Sequence, residues 1–160
     1  MATKTTARKA PARKATMSAA KTKIKPIVTG SDCAPGVCDP QRTQGLATNL
    51  AHGDHALVTL KGPGVFLGAE VTKQGGTNDI TFVILDIDGR NVTSLSYAAA
   101  ANSGLTQQNP YGLVLLTSSA LKNLTIGFPT PLRFKRELRL SVTVNEAGIV
   151  QILANVIHGK

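Results

Sequence analysis

The segment that most constrains the fold is residues 80–97, ITFVILDIDGRNVTSLSY. An apolar, β-branched run up to Ile87 meets Asp88-Gly89, and an alternating run then continues to Tyr97. Asp-Gly between two such runs predicts a β-hairpin, because both residues tolerate the positive φ angles of a tight turn whose twist matches the strands. Apolar residues of both parities precede the turn. This predicts a central strand with both faces covered.

Short segments of β type continue on both sides of this hairpin. The clearest covers residues 132–144, where apolar and polar residues alternate and Arg136 is the one exception. Residues 113–116 and 124–128 predict shorter strands, while residues 98–101 and 118–123 suggest helical turns. Two further inward faces are predicted: Val65, Leu67, Ala69 and Val71, with Phe66 on the opposite side, and then Val150, Ile152, Ala154 and Val156.

Strand number and spacing indicate the fold class. About eight strands in roughly 100 residues, separated by Gly, Pro and Asn turns, predict an all-β antiparallel sandwich. Eight strands favour a jelly roll over a seven-stranded immunoglobulin-like sandwich. The sequence therefore divides into a basic extended arm at residues 1–26, an irregular connector at 27–55, and a β-sandwich domain at 56–160.

The positive charge of the chain is concentrated at its start. The formal net charge is +9, and eight of the 18 basic residues precede residue 26: Lys4, Arg8, Lys9, Arg13, Lys14, Lys21, Lys23 and Lys25. The first acidic residue is Asp32, and the rest of the chain is nearly neutral. A segment this polar offers too little apolar surface to offset its ordering entropy, which predicts an arm that gains order only against a partner.

The connector contains residues that are typical metal ligands. Cys33, Cys38, His52 and His55 form a two-thiolate, two-imidazole set in the order of a zinc finger. The two-residue gap between the histidines is shorter than usual, and the residues between the pairs include no aromatic to fill a finger core. A Cys33–Cys38 disulfide and two unpaired cysteines are the alternatives.

Residue patterns that carry catalysis are missing from the sequence. The three histidines stand at 52, 55 and 158, near the ends of the predicted domain, and no nucleophile is placed beside a base and an acid in a recognisable motif. The sequence predicts no enzyme and no cofactor. No apolar run approaches the roughly 18 residues that span a bilayer, and no signal sequence is apparent, which predicts synthesis in a cytoplasm and no membrane partner.

A cationic strand face is the second candidate site. It comprises Arg133, Lys135, Arg136 and Arg139 around Glu137. Such a face is either a solvated outer surface that discourages strand aggregation or a contact surface for an acidic neighbour. The aromatic residues are scattered, so base stacking on single-stranded nucleic acid is not favoured.

A compact β-sandwich behind a flexible basic arm is similar to the jelly-roll decoration (cement or auxiliary) proteins of tailed bacteriophages. The resemblance lies in the arm, the repeated short strands and the stretch PTPLRFKRELRLSVTVNEAGIVQILANVIHG, and it covers about two-thirds of the chain. It implies a trimer or dimer on the capsid surface of a virion, bound to the major capsid protein by its arm.

Two other functions remain open at the level of sequence. A tail or neck component of the virion would use the same sandwich. A non-specific nucleic-acid-binding protein would neutralise phosphates with the eight cations of the arm.

Overall fold

The computed structural model describes residues 39–118 and 120–160. They form ten strands and one short helix, α1 (Tyr97–Asn102). The strands are β1 (Gln41–Thr48), β2 (Gly53–Lys61), β3 (Gly64–Gly75), β4 (Phe82–Ile87), β5 (Arg90–Ser96), β6 (Leu113–Thr117), β7 (Leu121–Ile126), β8 (Leu132–Phe134), β9 (Glu137–Val144) and β10 (Ile149–Gly159).

The strands make two antiparallel sheets. Sheet A has the order β1-β10-β3-β7-β6, with β8 also paired to β3, and sheet B has the order β2-β9-β4-β5. Apolar residues from both sheets form one core between them, including Val71 and Ile152 of sheet A and Leu85 and Leu140 of sheet B. The prediction of an all-β antiparallel sandwich is confirmed.

Strand pairing is nested around the predicted hairpin. β4 pairs with β5 across Asp88-Gly89, whose φ angles of 54° and 83° are both positive, as a tight turn of this type requires. Moving outward along the chain, β3 pairs with β7 and β8, β2 pairs with β9, and β1 pairs with β10. The chain is therefore one long hairpin that is folded over into two layers.

The strand before the turn has only one fully covered face. Val83 and Leu85 point into the core and are completely buried, whereas Phe82 and Ile84 on the opposite face are half-buried. The prediction that both faces are covered is wrong, because the outer face of sheet B lies at the surface of the described residues.

Residues 132–144 form two strands rather than one. β8 pairs with β3 in sheet A, and β9 pairs with β2 and β4 in sheet B. The chain crosses between the sheets at Lys135 and Arg136, so the break coincides with the single exception to the alternation. The predicted inward residues on both sides of the break face the core: Leu132, Phe134, Leu138, Leu140, Val142 and Val144.

Register shifts explain two errors in the predicted inward faces. A shift between Ile157 and His158 leaves an extra residue in β3, so Phe66 enters the core together with Ala69. A second shift next to Ile149 buries Ile149 and exposes Val150. Bulges of this kind reverse the side-chain alternation, and a pattern of period two does not reveal them.

Two segment assignments also need correction. The connector predicted at residues 27–55 is wrong for Gln41–Thr48, which forms β1 at the edge of sheet A, and for the start of β2. The helical turn suggested at residues 118–123 is wrong, since β7 begins at Leu121, whereas the turn suggested at 98–101 is confirmed as part of α1. The predicted arm at residues 1–26 lies outside the described residues.

Gly45 provides a test of whether β1 is integral to the body. A Cβ atom at this position would overlap the carbonyl oxygen of Leu57 in the opposite sheet. We expect Gly45→Ala to lower the free energy of unfolding by about 1–3 kcal/mol, as overpacking does, and urea denaturation would measure this. Gly68→Ala is the matched control, because its Cβ would lie 3.4 Å from the oxygen of Ile126. Equal stability of the two variants would contradict tight packing of β1.

Candidate functional site

One end of the sandwich, which we call the basic end, gathers most of the cations among the described residues. It is formed by the Asp88-Gly89 turn, the β2–β3 turn, the β8–β9 crossover and the end of β10. Its cations are Lys61, Arg90, Arg133, Lys135, Arg136 and Lys160. β1 also starts here, because Gln41 pairs with His158, so the chain enters the described body at the basic end.

Two open depressions mark the surface of this end. One, of about 700 Å³, is lined by Lys61, Arg133, Lys135 and Lys160. The other, of about 500 Å³, is lined by Arg90, Lys135 and Arg136 together with Asp88. Lys135 belongs to both depressions, so the cations form one continuous surface.

Strand pairing redistributes the predicted cationic face. Arg133, Lys135 and Arg136 lie at the basic end, whereas Arg139 lies on the outer face of sheet B, between Thr59 and Asp86. The four residues are therefore not on one strand face as predicted. Sequence reasoning did not find the remaining members, Lys61, Arg90 and Lys160, because they come from distant segments that only the nested pairing brings together.

The carboxylate of Asp88 holds the basic end together. Its Oδ1 accepts hydrogen bonds from the backbone N–H groups of Arg136 (2.7 Å) and Glu137 (3.0 Å), and its Oδ2 accepts one from Lys135 (2.9 Å). Nη2 of Arg136 donates in turn to the carbonyl oxygen of Asp88 at 2.7 Å. The three backbone donors, Lys135 first, lower the pKa of Asp88 to about 2. The hairpin turn is thereby fixed to the β8–β9 crossover.

Much of the positive charge at this end is not neutralised locally. Lys61 forms an ion pair with Glu137. Within residues 39–118 and 120–160, the side chains of Arg133, Lys135 and Arg136 make no ion pair with a carboxylate. The arrangement can therefore bind an acidic surface without first breaking internal ion pairs.

The opposite end of the sandwich contains a buried ion pair. Nζ of Lys73 lies 2.7 Å from Oε1 of Glu146, and both side chains are fully buried. The same ammonium group lies 2.7 Å from Oδ1 of Asp79 and 5.2 Å from the ring centre of Tyr97. Asp79 also pairs with the more exposed Lys122.

Glu146 is also held by hydrogen bonds from the β3–β4 loop. It accepts them from the backbone N–H groups of Asn78, Asp79 and Thr81 and from the Thr81 hydroxyl, at 2.6–3.2 Å. Burial alone would raise its pKa, but Lys73 and these donors outweigh burial and hold the pKa at about 2. Glu146 thus fastens the β3–β4 loop to the β9–β10 turn as a permanently ionised group.

A signal for this ion pair was present in the sequence. Lys73 continues the parity of Ala69 and Val71, which places its side chain in the core, where a lysine requires a partner. Sequence alone did not identify Glu146 as that partner, because it lies in a turn 73 residues away.

The predicted zinc set is only partly within the described residues. Cys33 and Cys38 lie outside them. His52 is exposed, and Nε2 of His55 lies 2.9 Å from the carbonyl oxygen of Ala51. Among residues 39–118 and 120–160, no group of three or more His, Cys, Asp or Glu side chains could hold a metal ion. The zinc site stays a prediction.

Comparison with known proteins gives no family assignment. No protein-family model matches the chain, and no curated protein is similar to it in sequence. In the part of the chain that the structure describes, no helix is both long and apolar enough to span a membrane.

The Asp88 contacts predict a pH-dependent contribution to stability. Asp88→Asn keeps a residue that tolerates positive φ but removes the charge and one acceptor, so we expect a lower melting temperature at pH 7. Because the folded-state pKa is about 2, below the ordinary value near 3.9, the advantage of the wild type should disappear as the pH falls from about 4 to 2. Thermal melting across this pH range measures it.

The control for this experiment is Asp54→Asn, which changes an exposed carboxylate that accepts only from the Thr143 hydroxyl. We expect a much smaller effect on the melting temperature at pH 7. A loss equal to that of Asp88→Asn would show that the three backbone contacts of Asp88 do not matter.

The buried ion pair predicts strong coupling between two positions. Glu146→Gln leaves the enclosed ammonium of Lys73 with fewer anionic partners and should lower the free energy of unfolding by about 3–5 kcal/mol. The double variant Lys73→Met, Glu146→Gln removes the charge as well and should be no less stable than Glu146→Gln alone. Urea denaturation of wild type, both single variants and the double variant gives the coupling energy. Simple additivity would contradict this account.

Proposed function

We propose that the protein is a structural, non-catalytic component of a virus particle that binds and stabilises a capsid. In this proposal the body is a jelly roll, and the basic arm at residues 1–26 attaches it to the major capsid protein. The assembled form is a homo-oligomer, a trimer or dimer, at the capsid surface of the virion.

The nested pairing order is the observation that carries this proposal. A jelly roll consists of eight strands in two sheets, made by folding one long antiparallel hairpin over itself. Without β6 and β8, the sheet orders here are β1-β10-β3-β7 and β2-β9-β4-β5. This agrees with the jelly-roll architecture, and β6 and β8 are then additions beside β7 and β3. Fold alone does not fix function, but jelly rolls are common in capsid proteins.

The distribution of charge supports attachment through the arm. The described residues carry ten basic and eight acidic groups, while the first 25 residues carry eight basic groups and no acidic one. The chain enters the body at the basic end, so the arm extends the cationic surface formed by Arg133, Lys135 and Arg136. A continuous positive surface of this kind suits an acidic capsid surface.

Non-specific nucleic-acid binding is the second candidate, and the same cations favour it. Phosphate contacts need only positive charge. Single-stranded binding also uses exposed aromatic rings, and only Tyr111, at 69% exposure, is largely exposed among the six aromatic residues. A tail or neck role in the virion uses the same geometry as decoration.

Attachment through the arm can be tested with a full-length variant in which the eight arm cations are replaced by glutamine. We expect the variant to stay folded but to lose co-sedimentation with empty shells of the virus that encodes the chain, because the electrostatic attraction is removed. A second variant, with glutamine at Arg133, Lys135 and Arg136, should bind the shells more weakly than wild type.

Parallel sedimentation with duplex DNA across a salt series separates the two candidates. A DNA-binding arm gives a logarithmic salt slope of about 0.9 per phosphate neutralised. Steep, arm-dependent DNA binding with no shell binding would replace the capsid proposal by the nucleic-acid proposal. Unchanged shell binding by the arm variant would remove the arm from the mechanism.

A further inference from the structure

We propose that copies of this chain associate through the outer face of sheet A. The inference deepens the proposed function and rests on its homo-oligomer, for which it names the surface. Self-association of the pure protein is measured without any shell, so either idea can fail while the other stands.

The register of sheet A defines this face as four rows of side chains. The central row is Leu46, Leu153, Thr72, Asn123 and Leu116, in the order β1, β10, β3, β7 and β6. The neighbouring rows are Gln44, Asn155, Glu70, Thr125 and Val114 on one side and Thr48, Gln151, Gln74 and Leu121 on the other. Arg42, Ile157 and Gly68 complete the face.

Large exposed aliphatic side chains are concentrated on this face. Leu46 and Leu116 are 61% and 56% exposed, and they stand at the two edge strands of the central row. Leu121 and Ile157 are also exposed. They account for four of the seven large hydrophobic residues exposed in the described part of the chain. Aliphatic groups that are scattered singly need no explanation, but a shared face is typical of an interaction surface.

The outer face of sheet B is different. Its rows contain Asp54, Lys61, Asp86, Glu137 and Arg139, with an ion pair between Lys61 and Glu137. On the sheet A face only Arg42 and Glu70 are charged, and uncharged amides occupy most other polar positions. Depletion of charge is what distinguishes the centre of a protein interface from ordinary surface. Of the two outer faces, that of sheet A is therefore the one suited to burial.

The two charges on the sheet A face are complementary. The carboxylate of Glu70 receives hydrogen bonds from the amides of Asn155 (2.7 Å) and Asn123 (3.4 Å) and forms no ion pair within the described residues. Arg42 is exposed on the edge strand β1, and both residues line a depression of about 490 Å³. A second copy offers the cation that Glu70 lacks and the anion that Arg42 lacks.

The size of the face also fits a second copy. Five strands spaced about 4.8 Å apart, with about eight residues rising about 3.3 Å each, cover roughly 600 Å² as a flat area. Stable interfaces bury about 600–1,000 Å² per partner. The face carries one positive and one negative charge, so it does not favour an acidic shell, whereas the basic end does. The two surfaces therefore have different partners.

The test is the mass of the full-length protein in solution over a range of concentrations, by sedimentation equilibrium. We expect a dimer or trimer of the 16.7 kDa chain. Leu46→Lys and Leu116→Lys should each raise the dissociation constant by about a hundredfold or more, because the new charge would be buried without a partner. Both sites are exposed in the single chain, so melting temperatures should stay near that of wild type.

A matched pair of variants provides the control. Ile157 on the sheet A face and Val92 on β5 of sheet B are both 38% exposed. We expect Ile157→Lys to weaken association and Val92→Lys to leave it unchanged. The variant without arm cations should still associate. A monomeric wild type at about 100 μM, far above the dissociation constants typical of specific interfaces, or oligomers that persist in all three sheet A variants, would overturn the proposal.

Discussion

The structure depends on the closure of one tight turn. Asp88 and Gly89 join β4 to β5, and every later pairing is arranged around that junction. Backbone geometry alone would allow the two layers to slide, since turns and bulges leave some freedom of register. The side chain of Asp88 removes that freedom by accepting three successive N–H groups of the crossover that leads into β9. One residue thus sets both the turn and the position of the strand that lies beside β4.

The two ends of the sandwich treat charge in opposite ways. At the end with α1, Lys73 and Glu146 are enclosed and satisfied, so their charges are used for internal connection. At the basic end, the cations are exposed and mostly lack carboxylate partners among the described residues. This separation explains how a body with nearly balanced charge can present a positive surface. Net charge alone would not have suggested it.

Sequence reasoning predicted the features that depend on local chemistry. The turn at Asp88-Gly89 follows from residues that tolerate positive φ, and the inward side of β9 follows from strict alternation. It did not predict the bulges that bury Phe66 and expose Val150, since an extra residue in a strand leaves no compositional mark. β1 was missed because its inward positions include Thr43 and Gly45, where close approach of the other sheet leaves no room for a large side chain. The basic end was found only in part, because its residues meet through long-range pairing.

The placement of β1 has a mechanical consequence for a protein tethered by its N-terminus. β1 begins at the basic end and pairs antiparallel with β10 along its full length, from Gln41 opposite His158 to Thr48 opposite Gln151. A pull on the preceding chain, directed away from that end, acts along the strand axis. It loads all the β1–β10 hydrogen bonds together in shear, whereas a pull at right angles would open them one after another. The edge strand is thus oriented to resist tension from its own tether.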